Sequence, residues 1–278
     1  MIRLVTDTGS DITSQAGKSL GVEVVELAVN FDEFSYDPHS DQDFSVFYDN
    51  LTKAKSLPRT SQPTPASFLD IFNDAKEKGD EVLVITLSGG LSGTHASAVM
   101  AKEDCDYDAI TLIDSRLATT AQRMLVDQAL KLREQGKSLG EIEAALLDLR
   151  ERIGFCCCLD TLTYLKKGGR VPPALALIGN ALKFKPVLTL KDGKVEPLDK
   201  VRGFQAGIRA MWSFIEKSGF DNSYPVIFGH TNNEERGKTF MEDTKAKFDM
   251  KECCLLPVGG VIGTHAGPNC VVVTYVKK

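Results

Sequence analysis

The chain has no apolar run long enough to cross a bilayer as a helix, which takes about 20 residues, so stable membrane insertion is not expected. It has no G-x-x-x-x-G-K followed by serine or threonine, so a nucleotide site of its own is not expected. It has no C-x-x-C pair. Its seven cysteines fall at Cys105, Cys156-Cys157-Cys158, Cys253-Cys254 and Cys270. Neighbours on a strand point to opposite faces, so the consecutive cysteines cannot all converge on one metal. They read as small buried hydrophobes in a reducing, cytoplasmic compartment, with no metal or cofactor. Met1-Ile2-Arg3-Leu4-Val5 enters a strand-like segment without a basic stretch and a long apolar one, so no secretory signal is expected. A net charge of −5 argues against a nucleic-acid partner, leaving room only for a local basic patch. Low-complexity tracts and short-period repeats are also missing.

What is present is a 278-residue chain, enough for two ordinary domains, with the 42% apolar and 26% charged residues of a globular protein. β-rich runs at residues 2–6, 22–31, 81–87 and 109–114 alternate with helical spacing at 44–55, 65–78, 118–135 and 139–152. Thr64 and Pro65 mark a helix start. This alternation predicts an α/β domain with a mostly parallel sheet over residues 1–154. Gly154 punctuates the chain, and a second α/β set fills 155–278: strand 155–159, helical 161–167 and 174–182, strands on both sides of the hairpin signal Asp192-Gly193, helix 203–217, strand 225–230, helix 233–247, and strands near Leu255 and at 270–276.

Four segments could carry chemistry. After the strand at 81–87, Ser88-Gly89-Gly90-Leu91-Ser92-Gly93-Thr94-His95 reads as a turn into a helix, where backbone N–H groups, hydroxyls and the helix dipole favour an anion. The same turn nearly matches the G-x-S-x-G elbow but lacks its last glycine, so Ser92 is a helix cap, an anion ligand or a nucleophile with His265 as its base. Arg59-Thr60-Ser61-Gln62-Pro63 offers hydroxyls ahead of a helix, or a plain prolyl turn. Gly259-Gly260-Val261-Ile262-Gly263-Thr264-His265 places a histidine on an exposed glycine-rich loop that a ligand can approach. Lys166, Lys167 and Arg170, with Arg202 before a helix, form a basic cluster that is either a solvated face or a docking surface. His39 and His230 read as structural.

In order and spacing, several motifs resemble the DegV family of bacterial fatty-acid-binding proteins across nearly the whole chain. They are Val5-Thr6-Asp7-Thr8-Gly9-Ser10-Asp11, Thr60-Ser61-Gln62-Pro63-Thr64-Pro65, Ser92-Gly93-Thr94, Leu165-Lys166-Lys167-Gly168-Gly169-Arg170, Lys200-Val201-Arg202-Gly203 and Ile262-Gly263-Thr264-His265-Ala266-Gly267-Pro268. The resemblance implies two α/β domains, the first with a mostly parallel sheet and the second with a mixed one. A fatty acid would lie near their junction, its carboxylate held by Thr60, Ser61, Ser92, Gly93, Thr94 and His265. It also implies a carrier without activity of its own, which presents that carboxylate to a separate ATP-binding fatty acid kinase subunit docked at Lys166, Lys167, Arg170 and Arg202, the acyl phosphate then feeding phospholipid synthesis. The alternative is a serine hydrolase using Ser92 and His265. Energetics favour an enclosed tunnel. Roughly fifteen methylenes at about 0.8 kcal/mol each gain on the order of 12 kcal/mol, against association costs of roughly 4–15 kcal/mol, so nearly the whole tail must be buried.

Overall fold

A computed structural model describes every residue except 39, 41 and 177–183. Its strands are β1 (Ile2–Asp7), β2 (Val22–Val25), β3 (Ala28–Asn30), β4 (Ser35–Tyr36), β5 (Arg59–Ser61), β6 (Glu81–Thr86), β7 (Ile110–Asp114), β8 (Ile153–Cys158), β9 (Phe184–Lys191), β10 (Lys194–Arg202), β11 (Val226–His230), β12 (Cys253–Pro257) and β13 (Val271–Val276). Its helices are α1 (Ser14–Leu20), α2 (Asp43–Lys53), α3 (Pro65–Lys78), α4 (Thr94–Cys105), α5 (Thr119–Glu134), α6 (Leu139–Arg152), α7 (Thr163–Lys167), α8 (Pro173–Ala176), α9 (Phe204–Ser218), α10 (Glu234–Phe248) and α11 (Gly260–Ala266). None of the described helices is long and apolar enough to cross a membrane.

The first sheet, β2-β1-β6-β7, is wholly parallel. Such a sheet needs helices on both faces, and the burial of β6 shows both covered. Val82 and Val84 face Phe68 and Phe72 of α3 and Ala98 of α4, while Leu83 and Ile85 face Met124 and Leu125 of α5. The larger sheet, β10-β9-β8-β13-β11-β12, is antiparallel except for the β11–β12 pair. The fold is therefore α/β with one parallel and one mixed sheet. Helix α5 packs against strands of both sheets, which explains why it is buried nearly all round.

β8 shows how the consecutive cysteines are used. Cys156 and Cys158 point into the core against α9 and α10, and Cys157 points the other way, toward the core shared with α5. All seven thiols are free, and Cys254 is exposed, contrary to its expected burial, because β12 is an edge strand.

One further expectation needs correction. The β-rich run at 22–31 is two strands in different sheets, because the Leu27 N–H donates to the Thr8 hydroxyl (2.9 Å) instead of continuing a ladder. β3 then pairs with β4 and β5 in a small antiparallel sheet. The helix expected over 174–182 is described only as Pro173–Ala176, and the remainder lies outside the described residues, as does His39.

Candidate functional site

The two hydroxyl-bearing segments and the histidine segment meet. β5 is carried by its pairing with β3, Val29 opposite Thr60, and Thr60 Oγ1 lies 2.9 Å from His265 Nε2. His265 does not sit on an exposed loop: residues 260–266 form α11, with most of its glycine backbone buried. The glycines serve close packing. A Cβ on Gly263 would stand 2.5 Å from the Tyr48 hydroxyl and 2.8 Å from the Phe47 ring, so α11 lies flush on α2 only without side chains there.

In the turn before α4 the first amides are satisfied within the protein. Gly89 N–H donates to Asp114 Oδ1 (3.1 Å), Gly90 N–H to Ser88 Oγ (3.2 Å), and the Leu91 and Ser92 N–H groups to Ser88 O (3.0 Å each). The turn also carries the Ser92 hydroxyl, 2.8 Å from Thr94 Oγ1. Thr94 is fully buried, so it stands behind Ser92 rather than at the surface of the site. Gly93 lies against Gln62, where a Cβ would come within 1.9 Å of the amide oxygen. Gln62 itself donates to Ser97 Oγ (3.1 Å).

These groups rim a cavity of about 360 Å³, within the range of small-molecule pockets. Thr60, Ser61, Gln62, Ser92, Arg170 and His265 form its polar wall. Ser61, Gln62 and Arg170 are exposed, which places that wall at the mouth. The rest is mostly aliphatic, with Phe155 and Cys157 of β8, Leu188 and Leu190 of β9 and Val195 of β10 on one side, and Leu87 and Ala118 from the ends of the parallel sheet on the other. Thr189 and Thr119 also line it, but their hydroxyls are spent on Phe155 O (2.7 Å) and the Asp11 carboxylate.

Among the residues expected at a docking surface, Arg170 is part of the cavity wall, donating through Nε to Leu91 O (3.0 Å) and through Nη1 to Gly168 O (2.8 Å). Lys166 and Lys167 end α7, which packs on α11. Arg202 stands at the end of β10, its guanidinium 5.2 Å above the Phe184 ring. Sequence reasoning gave no role to Gln62 and placed Arg170 outside the cavity. Both neighbour residues already selected, but only folding shows which way they face.

Burial, with Arg170 adding repulsion, pushes His265 down to about 4, so its imidazole is neutral at pH 7. Its Nδ1 is buried without a partner. Among the described residues no carboxylate orients that nitrogen, and Nε2 meets Thr60 rather than Ser92, so these residues do not form the relay of a serine hydrolase. Asp7 is shifted the other way. Burial raises it to about 6 even though the Leu87 and Gly9 amides donate to it at 2.6 and 2.8 Å.

These two shifts have opposite signs in stability. Between about pH 4 and 6.5 the unfolded chain protonates His265 and the native one does not, so His265 makes stability fall as pH falls. Between about pH 4 and 6 native Asp7 holds a proton that the unfolded chain has released, so Asp7 makes stability fall as pH rises. Each contribution is about 3 kcal/mol, and they offset over the shared window. In His265→Gln the slope from Asp7 should be exposed. Denaturant midpoints of this variant, minus those of wild type, should decrease from pH 4 to 6; a difference that stays flat would contradict the assignment.

The family model described as "Uncharacterised protein, DegV family" matches residues 1–278. The chain belongs to the DegV family. A DegV domain-containing protein of Caldanaerobacter subterraneus is 34% identical, over 100% of this chain and 99% of the relative. A solved DegV family protein from Thermus thermophilus, described for its fatty acid binding, is 31% identical with a TM-score of 0.87 over 99% of both chains. The Streptococcus pneumoniae Fatty Acid Kinase (Fak) B3 protein, solved with linoleic acid, shares the fold at 22% identity and a TM-score of 0.86 over 100% of both chains.

Proposed function

We propose that this DegV protein binds one long-chain fatty acid, with its carboxylate at the polar mouth and its tail in the aliphatic cavity between the lobes 1–154 and 155–278. The observation that carries this reading is one cavity with hydroxyls, an imidazole and a guanidinium at its mouth and hydrocarbon on its remaining walls. A buried carboxylate needs donors, and charge-assisted ones are the strongest. Ser61, Ser92 and Thr60 supply hydroxyls, and Arg170 supplies positive charge. His265 is assigned as the Nε2–H tautomer, donating to Thr60 Oγ1 so that the Thr60 hydroxyl proton points into the site; the unpartnered Nδ1 is then a lone pair, a cheaper orphan than an N–H. Gly93 and Thr94 shape the turn that holds Ser92.

The mouth, with Ser61, Gln62 and Arg170 exposed, leaves the carboxylate within reach of a second protein. The protein therefore acts as the carrier subunit for a separate ATP-dependent kinase, which docks over Lys166, Lys167 and Arg170, with Arg202 on the flank, and forms an acyl phosphate for phospholipid synthesis. Native mass spectrometry of the purified protein should show one co-purified fatty acid per chain, and incubation with ATP alone should leave both ATP and lipid unchanged. A chain that neither retains nor takes up a long-chain fatty acid would end the lipid reading, and ATP turnover by the isolated chain would end the carrier reading.

A further inference from the structure

We propose that Asp11 is a positioning residue that ties the wall of the acyl cavity to the helix presenting His265. This rests on the fatty-acid reading above. Asp11 is nearly buried, and its two oxygens accept from two distant segments: Oδ1 from the Gly259 N–H (2.9 Å) and Oδ2 from the Thr119 hydroxyl. Gly259 immediately precedes α11, and the Tyr48 hydroxyl grips the preceding carbonyl, Val258 O (2.9 Å). Thr119 opens α5 and lines the acyl cavity.

Thr119 is also strained. Its φ is +52°, a region that β-branched residues avoid, and Asp11 itself stands at +60°. Two non-glycine residues held left-handed and facing each other through one hydrogen bond need surroundings that over-determine them, and such strain gathers at functional sites. The carboxylate provides that determination. It engages the Thr119 hydroxyl, so that this hydroxyl is not free to serve the cavity that Thr119 lines. Through its other oxygen it fixes the start of a seven-residue helix on which His265 meets Thr60.

Asp11 acts through these neighbours and not by contact. It lines a second cavity, of about 320 Å³, separated from the acyl cavity by Leu27 and Val261, which face both. A change at Asp11 therefore reaches the fatty acid through Thr119 and α11, which both border the acyl cavity. This separates it from Ser92 and His265, whose loss removes a group at the mouth.

The test is a double-mutant cycle with oleate as the probe, read by calorimetry on the full chain. Asp11→Ala should weaken oleate binding by roughly five- to tenfold. Asp11→Asn, which keeps an acceptor for Gly259, should recover most of that loss. In a His265→Ala background, Asp11→Ala should cost clearly less than in the wild-type background, because the part carried through α11 is gone and only the part carried through Thr119 remains. Should Asp11→Ala not fold, Thr119→Val takes its place in the cycle, with Thr119→Ser as the rescue. Equal losses in both backgrounds, or wild-type affinity in the single variant, would overturn the positioning role. Failure of the wild-type protein to bind oleate would instead overturn the fatty-acid reading, and this inference with it.

Discussion

Replacing His265 with alanine is expected to weaken binding of a C16 or C18 fatty acid by roughly 10- to 150-fold, which is the loss of one hydrogen bond to a charged group at about 1.5–3 kcal/mol. The imidazole is half-buried and its Nε2 is engaged by Thr60. Without it Thr60 loses its partner and the headgroup loses a correctly turned hydroxyl. Because burial and Arg170 keep the imidazole neutral in the free protein, the loss should be nearly the same at pH 6.5 and pH 8. The fold should survive, since His265 is only half-buried and stands on the cavity wall, where its truncation opens into the cavity. Calorimetric titration with palmitate at the two pH values is the measurement. Binding within twofold of wild type would remove His265 from the headgroup site, and a loss confined to low pH would mean that a charged imidazole, not a neutral one, makes the contact.

A larger effect is expected from filling the cavity. Val195 sits on β10 opposite Leu190, half-buried, and both side chains line the cavity. In Val195→Trp the indole would occupy space otherwise open to the tail, at a strand position that tolerates an aromatic residue. Shutting out six methylenes forfeits about 5 kcal/mol, so binding of C16 and C18 acids should fall below detection. Octanoate, whose tail is shorter, should lose much less. The melting temperature should stay within a few degrees of wild type, because the added volume enters a void and not a packed core. A variant that still binds palmitate normally would show that the tail lies elsewhere.

The two variants divide the binding free energy between its ends. Grip at the mouth comes from a few donors, each worth a modest amount. Retention of the tail comes from area, and no single wall residue carries it. Arg170 belongs to the first end. It was expected at a docking face, and its bonds to Leu91 O and Gly168 O instead hold it in the cavity wall. A side chain in that position can serve the ligand and a docked partner together.

Elements with strong local signals were legible in the chain. The apolar run at 81–87 became β6, Pro65 opened α3, the Asp192-Gly193 turn joined β9 to β10, and the helix expected over 139–152 is α6. The polar segments did not yield in the same way. The glycine-rich stretch at 259–267 looked like an exposed loop because glycine punctuates loops, but here the missing side chains let a helix lie on Phe47 and Tyr48. The turn at 88–94 has strand, glycines and helix in the order of an amide cradle, but the amides of Gly89, Gly90, Leu91 and Ser92 are taken by Asp114 and Ser88.

The sequence by itself determined most of the longer strands and helices, their α/β alternation, and which hydroxyls and histidine to watch. Those are short-range properties, set by side-chain periodicity and turn chemistry within a few residues. Only the tertiary structure decided that Thr60 meets His265 across 205 positions of chain, that Asp11 joins Thr119 to Gly259, and that Arg170 turns into the wall. Such contacts depend on how two sheets close around α5, and their free energy is paid back only when the whole core has assembled.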